Sequence, residues 1–290
     1  MMWLFAKNKV NEKFSPTRKV RLFFAFLLLL FLVPCRALAM DLWVSSPWLS
    51  VMSNFMGGVY VTVHPMVVWS EDGLEKRVAP KKMSEDLPLL VLDYSDAQKY
   101  GISEKRKNLY VLYRNLPFPR EKLDSYFADP SVLPFIAQRI LNVFSSLDTE
   151  HYFFYQRRLA EFQGRLESTV LLGRQLLQGK KVYDLSASYG ELLRAARCEI
   201  LRPSGENVTL WKNGESLDSF KQKVEEIIKQ GIPVVYDAQT PRCMQDTLLK
   251  IKSSQIILLK RPTIEEDLII SLYDQYLSIW NIAAFSATSN

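Results

Sequence analysis

The stretch DTEHYFFYQRRLAEFQGRLESTVLLGRQLLQ, residues 148–178, decides the fold. Apolar or aromatic residues recur along it at helical spacing: Tyr152, Tyr155, Leu159, Phe162, Leu166, Val170 and Leu177. This stripe is typical of an amphipathic helix, and Asp148 can cap it with Glu150 in its first turn. At 1.5 Å per residue the helix would be about 45 Å long, which is longer than a small domain needs. We therefore predict one long linking helix between two lobes.

The segments on both sides of this helix alternate short apolar runs with helical patterns. In residues 40–147, strands are predicted at 42–45, 87–92 and 109–113, a β-rich run at 59–68, helices at 47–56 and 95–100, and a loop at 70–86. In residues 179–290, strands are predicted at 181–185, 232–236 and 255–259, helices at 188–197, 217–230, 241–252 and 265–285, and a loop at 203–214. Such alternation indicates an α/β fold of two lobes, each a parallel sheet flanked by helices.

The first 39 residues have the order of a secretory signal peptide. Six Lys or Arg residues and one acid lie in residues 1–21, and the unbroken apolar run Leu22–Val33 follows. The tripeptide Ala37–Ala39 then supplies small residues on both sides of a leucine. The apolar run is short for a bilayer, which takes about 20 residues to cross. We predict export to a bacterial periplasm with cleavage after Ala39.

Two alternatives to cleavage by signal peptidase stay open. The apolar run could be retained as a membrane anchor, although it is short for that purpose. Cys35 could instead carry a lipid, but Pro34 stands before it, where lipid-attachment sites want a small residue.

The positive charge of the chain belongs to this leader. The formal net charge is +6, but seven of the 37 basic residues and one of the 31 acidic residues lie in residues 1–39. The remaining 251 residues therefore hold 30 of each sign. A neutral chain lacks the basic surface that nucleic-acid binding needs, so we expect no nucleic-acid partner.

The sequence contains no complete motif for catalysis and no cysteine pattern for a metal site. Cys198 and Cys243 could pair in an oxidising compartment or remain buried thiols, and no CxxC motif is present. The run SASYG at 186–190 partly mimics a nucleophile elbow, but no histidine follows His151. Neither a Walker A loop nor GxGxxG occurs. We predict that the chain is not an enzyme.

Several short motifs, in order, resemble a known family. They are FADP at 127–130, LDTEHYFFY at 147–155, SASYG at 186–190, VVYDAQ at 234–239 and YLSIWN at 276–281. Together they resemble the solute-binding proteins of bacterial zinc and manganese ABC importers, the cluster A-I or family 9 proteins. The resemblance covers most of residues 40–290 through motif order and spacing, and each motif is degenerate.

The resemblance implies one divalent metal held by four side chains, but this sequence departs from the family at those positions. The second ligand position falls on Ser125, the third on Ser186 and the final carboxylate near Lys260. None of these is an ordinary ligand for a transition metal, and the Lys260 ammonium would repel a cation. Beyond residue 39 the only histidines are His64 and His151, so a three-histidine site is impossible.

The remaining candidates each have a structural alternative. His64 lies before Pro65 in the β-rich run, near the first ligand position that the resemblance implies, and Asp237 ends a predicted strand. Both are therefore predicted metal ligands, with a plain loop or core histidine and a capping or solvated carboxylate as alternatives. Ser186 and Ser188 fit the N-cap of the next helix better than a ligand site. Lys260 and Arg261 could hold an anion in the cleft or form a solvated basic pair.

The resemblance implies a periplasmic solute-binding component of an ATP-driven (ABC) import system. It implies as partners an ABC permease and its ATPase in the inner membrane, and a monomeric receptor. The solute would be a divalent metal ion, zinc, manganese or iron, with the metal site atypical or lost, in which case no metal binds. The alternative is a binding or adhesion module that kept the scaffold and abandoned transport.

Overall fold

Two parallel four-stranded sheets, one on each side of the long helix, organise the computed structural model. The structure describes residues 39–70, 75–80, 84–114 and 123–288. The predicted signal peptide, its cleavage site up to Leu38, and Cys35 lie outside the described residues. Residues 39–290 form one compact unit.

The first sheet has the strand order β2-β1-β5-β6, and all of its neighbouring strands are parallel. A separate antiparallel pair, β3 with β4, follows the second strand. The ranges are β1 Met40–Val44, β2 Val61–Pro65, β3 Val67–Trp69, β4 Glu75–Arg77, β5 Leu89–Val91 and β6 Leu109–Val111. The helices of this part are α1 Pro47–Gly57, α2 Tyr94–Lys99 and α3 Leu133–Leu147, with single 3₁₀ turns at Gly58–Tyr60 and Asp124–Ala128.

The long helix, α4, spans Tyr152–Leu177. Its buried face is Tyr155, Phe162, Leu166, Thr169, Gly173 and Leu177, so most of the predicted stripe faces inward, while Tyr152 is exposed. The helix begins four residues after Asp148, which instead ends α3: its backbone N–H donates to the Phe144 carbonyl at 2.7 Å. The prediction that Asp148 caps α4 is therefore wrong, although its carboxylate accepts the His151 N–H at 3.4 Å.

The second sheet has the order β10-β9-β7-β8 and is also entirely parallel. Its strands are β7 Lys181–Asp184, β8 Glu199–Leu201, β9 Val234–Asp237 and β10 Ile256–Leu259. The helices around it are α5 Gly190–Ala195, α6 Gly205–Lys212, α7 Leu217–Lys229, α8 Arg242–Ile251 and α9 Leu268–Thr288. The predicted α/β architecture of two sheets flanked by helices and joined by one long helix is confirmed.

Two predicted loops are wrong, and one strand was missed. The predicted loop at 70–86 contains β4, and the predicted loop at 203–214 contains α6, which Ser204 caps by accepting the Asn207 N–H. Strand β8 was not predicted, because its apolar run is only Ile200 and Leu201, between the charged Glu199 and Arg202.

The lobes share a core through α4. One apolar cluster runs from Leu42 and Val44 of the first sheet through Phe162 of α4 to Val235 and Leu259 of the second sheet. Helix α4 contacts α1 and α3 on one side and α5 and α9 on the other. Within the described part of the chain, no helix is long and apolar enough to cross a membrane.

Candidate functional site

A cleft of ≈ 740 Å³ lies where β3 of the first half faces the carboxyl ends of β9 and β10. The volume is in the range of small-molecule sites, and ligands of open α/β sheets bind at this end of the strands. The lining residues are Val68, Trp69, Ser70, Ala238, Arg242, Gln245, Leu258, Leu259, Lys260, Arg261, Pro262, Thr263 and Ile264.

The described residues of the lining carry positive charge. Arg242, Lys260 and Arg261 line the cleft, and no Asp, Glu, His or Cys stands among the described residues that line it. The sequence predicted Lys260 and Arg261 as a candidate pair at the cleft, and both line it. The sequence analysis missed Arg242. It could have been predicted, because Arg242 begins the helix that follows the loop after β9, and such loops lie at the ligand-binding end of the sheet.

Trp69 forms the aromatic wall of the cleft. Its ring meets the ring of the buried Trp48 edge to face, with centroids 5.1 Å apart, and the Arg261 guanidinium lies 5.5 Å from the Trp69 centroid. Trp48 in turn stacks on Phe127 at 5.8 Å. This aromatic column fixes the tryptophan against the core and holds the arginine over its face by a cation–π contact.

The backbone at Lys260 is fixed while its ammonium is exposed. Its N–H donates to the Gln275 side chain at 3.2 Å, and its carbonyl accepts from the Tyr189 hydroxyl at 2.8 Å. Burial raises the pKa of Tyr189 well above its usual range, so this phenol stays a neutral donor. The short segment after β10 is thereby held in place, and its cationic side chains are presented to the cleft.

Asp237 is buried at the end of β9 and joins two loops. Oδ2 accepts the N–H groups of Ala187 and Ser188 at 3.0 and 2.9 Å, and Oδ1 accepts those of Gln239 and Thr240 at 3.1 and 3.0 Å. A metal-binding role for Asp237 stays a prediction. To take it, the carboxylate would have to give up hydrogen bonds that hold its own loop against the β7–α5 loop.

Ser186, the third ligand position of the resemblance, turns inward to Asp184. Its hydroxyl donates to Asp184 Oδ1 at 2.6 Å, and the Tyr189 N–H donates to Ser186 Oγ at 3.3 Å. The prediction that Ser186 or Ser188 is the N-cap of α5 is wrong, because Tyr189 holds that position and no side chain caps the helix. The other Asp184 oxygen accepts from Arg202 Nη2 at 2.5 Å. Gly190 makes room for this arginine, because a β-carbon there would lie 1.9 Å from Nη2.

His64 lies on the exposed face of the first sheet. Its Nε2 is 2.7 Å from Asp41 Oδ1, and its ring stacks on Trp43 at 5.1 Å. His64 is not among the residues that line the cleft. It and Asp237 therefore do not meet in the cleft, and a metal role for His64 stays a prediction that involves a different place on the surface.

Ser125 and His151 contribute no metal ligand to the cleft. Ser125 is half-buried in the 3₁₀ turn Asp124–Ala128. His151 lies at the junction of α3 and α4, where its Nδ1 is 2.8 Å from Asp148 Oδ2 and its ring stacks on Tyr60 at 3.8 Å. Neither residue lines the cleft.

No conventional metal site exists in the described residues. Nowhere in them do three or more His, Cys, Asp or Glu side chains come together as a metal site would require. Cys198 and Cys243 are both free thiols, and burial raises the pKa of the Cys198 thiol to about 12. The two cysteines pack in different apolar clusters, so neither a disulfide nor a shared metal joins them.

The structure is similar to solved solute-binding proteins. ZnuA has 17% sequence identity and a TM-score of 0.59 over 84% of this chain and 98% of its own. FpvC from Pseudomonas aeruginosa, in complex with Mn²⁺, has 12% identity and a TM-score of 0.61 over 86% of this chain and 99% of its own. The laminin-binding protein Lmb of Streptococcus agalactiae has 13% identity and a TM-score of 0.57 over 83% of this chain and 100% of its own.

At these identities the similarity shows a shared fold, which confirms for the fold the resemblance found in the sequence motifs. No family model matches the sequence, and no curated protein matches it.

Proposed function

We propose that this chain is the solute-binding component of an ATP-driven importer, exported to the periplasm and cleaved after Ala39. The observation that carries the proposal is the ≈ 740 Å³ cleft between the two sheets of a fold shared with ZnuA and FpvC. A cleft at the carboxyl ends of the strands receives the solute, and both lobes dock on a membrane permease whose ATPase drives import. Binding and release, without chemistry on the solute, account for the lack of a catalytic constellation in the described residues.

The metal site is altered or lost in this proposal. Structurally similar proteins are described with zinc, Mn²⁺ and Ni²⁺ bound. In this chain Ser186 is engaged with Asp184, and Lys260 replaces the final carboxylate with a cation. Two like charges at contact distance repel by about 4 kcal/mol at an effective dielectric constant near 20, so a bare divalent ion beside Lys260 is disfavoured.

The transport role is tested by recovering partners from the host. Affinity-tagged protein is cross-linked in whole cells, the membranes are solubilised, and the captured proteins are identified by mass spectrometry. An ABC permease and its ATPase are expected. A chain that begins at Met40, and so never leaves the cytoplasm, is the control and should capture neither. Capture of no permease from exporting cells contradicts the transport role.

Export is tested separately by the N-terminus of the protein. Mass spectrometry of the extracytoplasmic fraction should find a chain that starts at Met40. A chain that keeps residues 1–39, or one with a lipid on Cys35, identifies the retained anchor or the lipoprotein instead.

The second candidate is an adhesion module on the same scaffold. Lmb is described as a bifunctional protein with adhesin and metal-transporting activity. In this chain Val59, in the 3₁₀ turn before β2, and Phe153, in the first turn of α4, are 75% and 82% exposed, which leaves apolar contact surface outside the cleft. An isolated gene, without neighbouring permease and ATPase genes, together with no captured permease, favours this candidate.

A further inference from the structure

The cleft has a chemical character that the similarity in fold does not assign. Among the described residues that line it, the charged side chains are three cations, Arg242, Lys260 and Arg261, from two segments of the second lobe. Its other walls are chiefly apolar, with Trp69 of the first lobe facing Leu258, Pro262 and Ile264 of the second. From this arrangement we propose that the cleft binds an organic anion, a carboxylate or phosphate ester carried on an apolar body. The inference rests on the proposed function and narrows its solute class.

Lys260 is the cation best placed to bind such an anion. Its ammonium forms no hydrogen bond or ion pair with any residue that the structure describes. Its backbone, in contrast, is held at the carbonyl by Tyr189 and at the N–H by Gln275. Because the backbone is already fixed, only the lysine side chain has to become ordered when an anion binds. Lysine also binds phosphate and carboxylate oxygens as a compact point charge with three donors.

Trp69 and Arg261 make a platform for the apolar part of the ligand. The guanidinium lies 5.5 Å from the ring centroid, so the tryptophan carries a cation on one side while it borders the cleft. Aromatic rings pack against one another at offset or edge-to-face geometries, and a planar ligand body fits such a wall. Gln245 adds an amide to the lining, and its Nε2 donates to the Thr240 carbonyl at 2.5 Å.

The opposite interpretation, a cleft for a bare divalent cation, finds no support in the lining. A cation needs several anionic or imidazole ligands, and the described residues that line the cleft contain none. Three cations around one cleft repel a metal ion and attract an anion. The same substitution, Lys260 in place of a carboxylate, thus accounts both for the loss of metal binding and for the gain of anion binding.

The test uses protein purified as the host exports it and isothermal titration calorimetry at low ionic strength. The probes are phenyl phosphate and phenylacetate, with 2-phenylethanol as the neutral analogue of matched size and inorganic phosphate as the anion without an apolar body. Saturable one-to-one binding of phenyl phosphate or phenylacetate is expected, weakened by added salt. The two arms separate a phosphate from a carboxylate ligand. If neither binds, or if the alcohol binds as tightly, the proposal is wrong.

Two variants of matched charge locate the site. Lys260→Glu should weaken binding of the anionic probe at least about tenfold, since charged hydrogen bonds are worth that much. Lys180→Glu reverses the charge of an exposed lysine just before β7, at the opposite ends of the same strands, and should leave the affinity unchanged. Arg242→Gln is the second variant if Lys260→Glu melts at a lower temperature. Equal losses in the Lys180 and Lys260 variants would overturn the proposal.

The result is independent of the importer test. If the protein binds the anionic probe but captures no permease, the proposal for the cleft is supported and the transport role is contradicted. A captured permease with no anion binding does the reverse, so each proposal fails by its own measurement.

Discussion

The ring of Tyr276, on α9, lies directly against the backbone of Gly173, on α4. A β-carbon built on Gly173 would fall 2.5 Å from Tyr276 Cε2 and 2.7 Å from two further ring carbons. Tyr276 is fully buried, and its hydroxyl donates to the Leu192 carbonyl of α5 at 3.0 Å. Gly173 thus lets α9 pack closely on α4 while the hydroxyl of Tyr276 reaches α5.

Replacing Gly173 by alanine should destabilise the protein by about 1–3 kcal/mol, the usual cost of overpacking a buried contact. The ring cannot move aside easily, because its hydroxyl is tied to α5. Chemical denaturation followed by tryptophan fluorescence measures the change in the free energy of unfolding.

Gly164→Ala is the matched control on the same helix. Nothing lies within 4 Å of a β-carbon at Gly164, so the helix should gain about 0.5–1 kcal/mol from the better helix former. If Gly173→Ala and Gly164→Ala stabilise the protein equally, the close contact between Tyr276 and Gly173 does not exist in the protein in solution.

The sequence predicted most of the fold because apolar periodicity carries it. The strands β7, β9 and β10 are runs of Val, Ile, Leu and Tyr, and the α4 stripe repeats over seven turns of a helix whose polar residues face outward. Strand β4 was missed because Glu75, Lys76 and Arg77 are all exposed and charged, so no buried face marks it. Helix α6 was missed because Pro203, Gly205 and Gly214 around it are typical of a loop.

The cleft was only partly predictable. Lys260 and Arg261 follow a recognisable strand, so their place at the strand ends follows from the parallel sheet. Trp69 comes from a short strand in the other lobe, and nothing local in the sequence shows that it meets Arg261. The role of Asp237 was also hidden, because its partners Ala187 and Ser188 lie on a different strand–helix loop.

The α3–α4 junction should depend on pH through Asp148. Burial alone would raise the pKa of this carboxyl, but hydrogen bonds from Tyr155, at 2.7 Å, and from His151 outweigh it and leave the pKa lowered. A lowered pKa means that the carboxylate stabilises the folded state above its unfolded pKa, and that this stability is lost as the pH falls through the folded pKa. Urea denaturation of wild type and Asp148→Asn should give different free energies of unfolding at pH 7, and the difference should shrink as the pH falls below the usual pKa of an aspartate.

Tyr155→Phe isolates one contact of that junction. The phenol donates to an ionised acceptor, so its loss should cost about 1.5–3 kcal/mol at pH 7, and less at acid pH. Tyr152→Phe, on the exposed side of the same turn, is the control and should change stability by under about 0.5 kcal/mol. A Tyr155→Phe cost that does not shrink at low pH would contradict the charged hydrogen bond.

Asp237→Asn should act on folding. An amide in place of the carboxylate points an N–H₂ at backbone N–H groups of one of the two loops, so a buried donor loses its partner at a cost of about 1–3 kcal/mol. Asp274→Asn, an exposed carboxyl on α9, is the control and should be silent. The two variants are compared by thermal melting and by zinc titration; a loss of zinc affinity without a loss of stability would make Asp237 a ligand.

Zinc and manganese should bind this protein weakly, and on the outer face of the first sheet. His64 and Asp41 are a pair of potential ligands 2.7 Å apart, but two side chains are fewer than the three or four that hold zinc in proteins, so the affinity should be low. Calorimetry on metal-free protein measures it, and His64→Ala should abolish what binding there is. His151→Ala is the matched control, because the second histidine faces Asp148 and Tyr60 at the helix junction. Tight one-to-one binding of either metal that survives His64→Ala would show that the metal site is intact elsewhere, and would contradict the loss argued from Ser186 and Lys260.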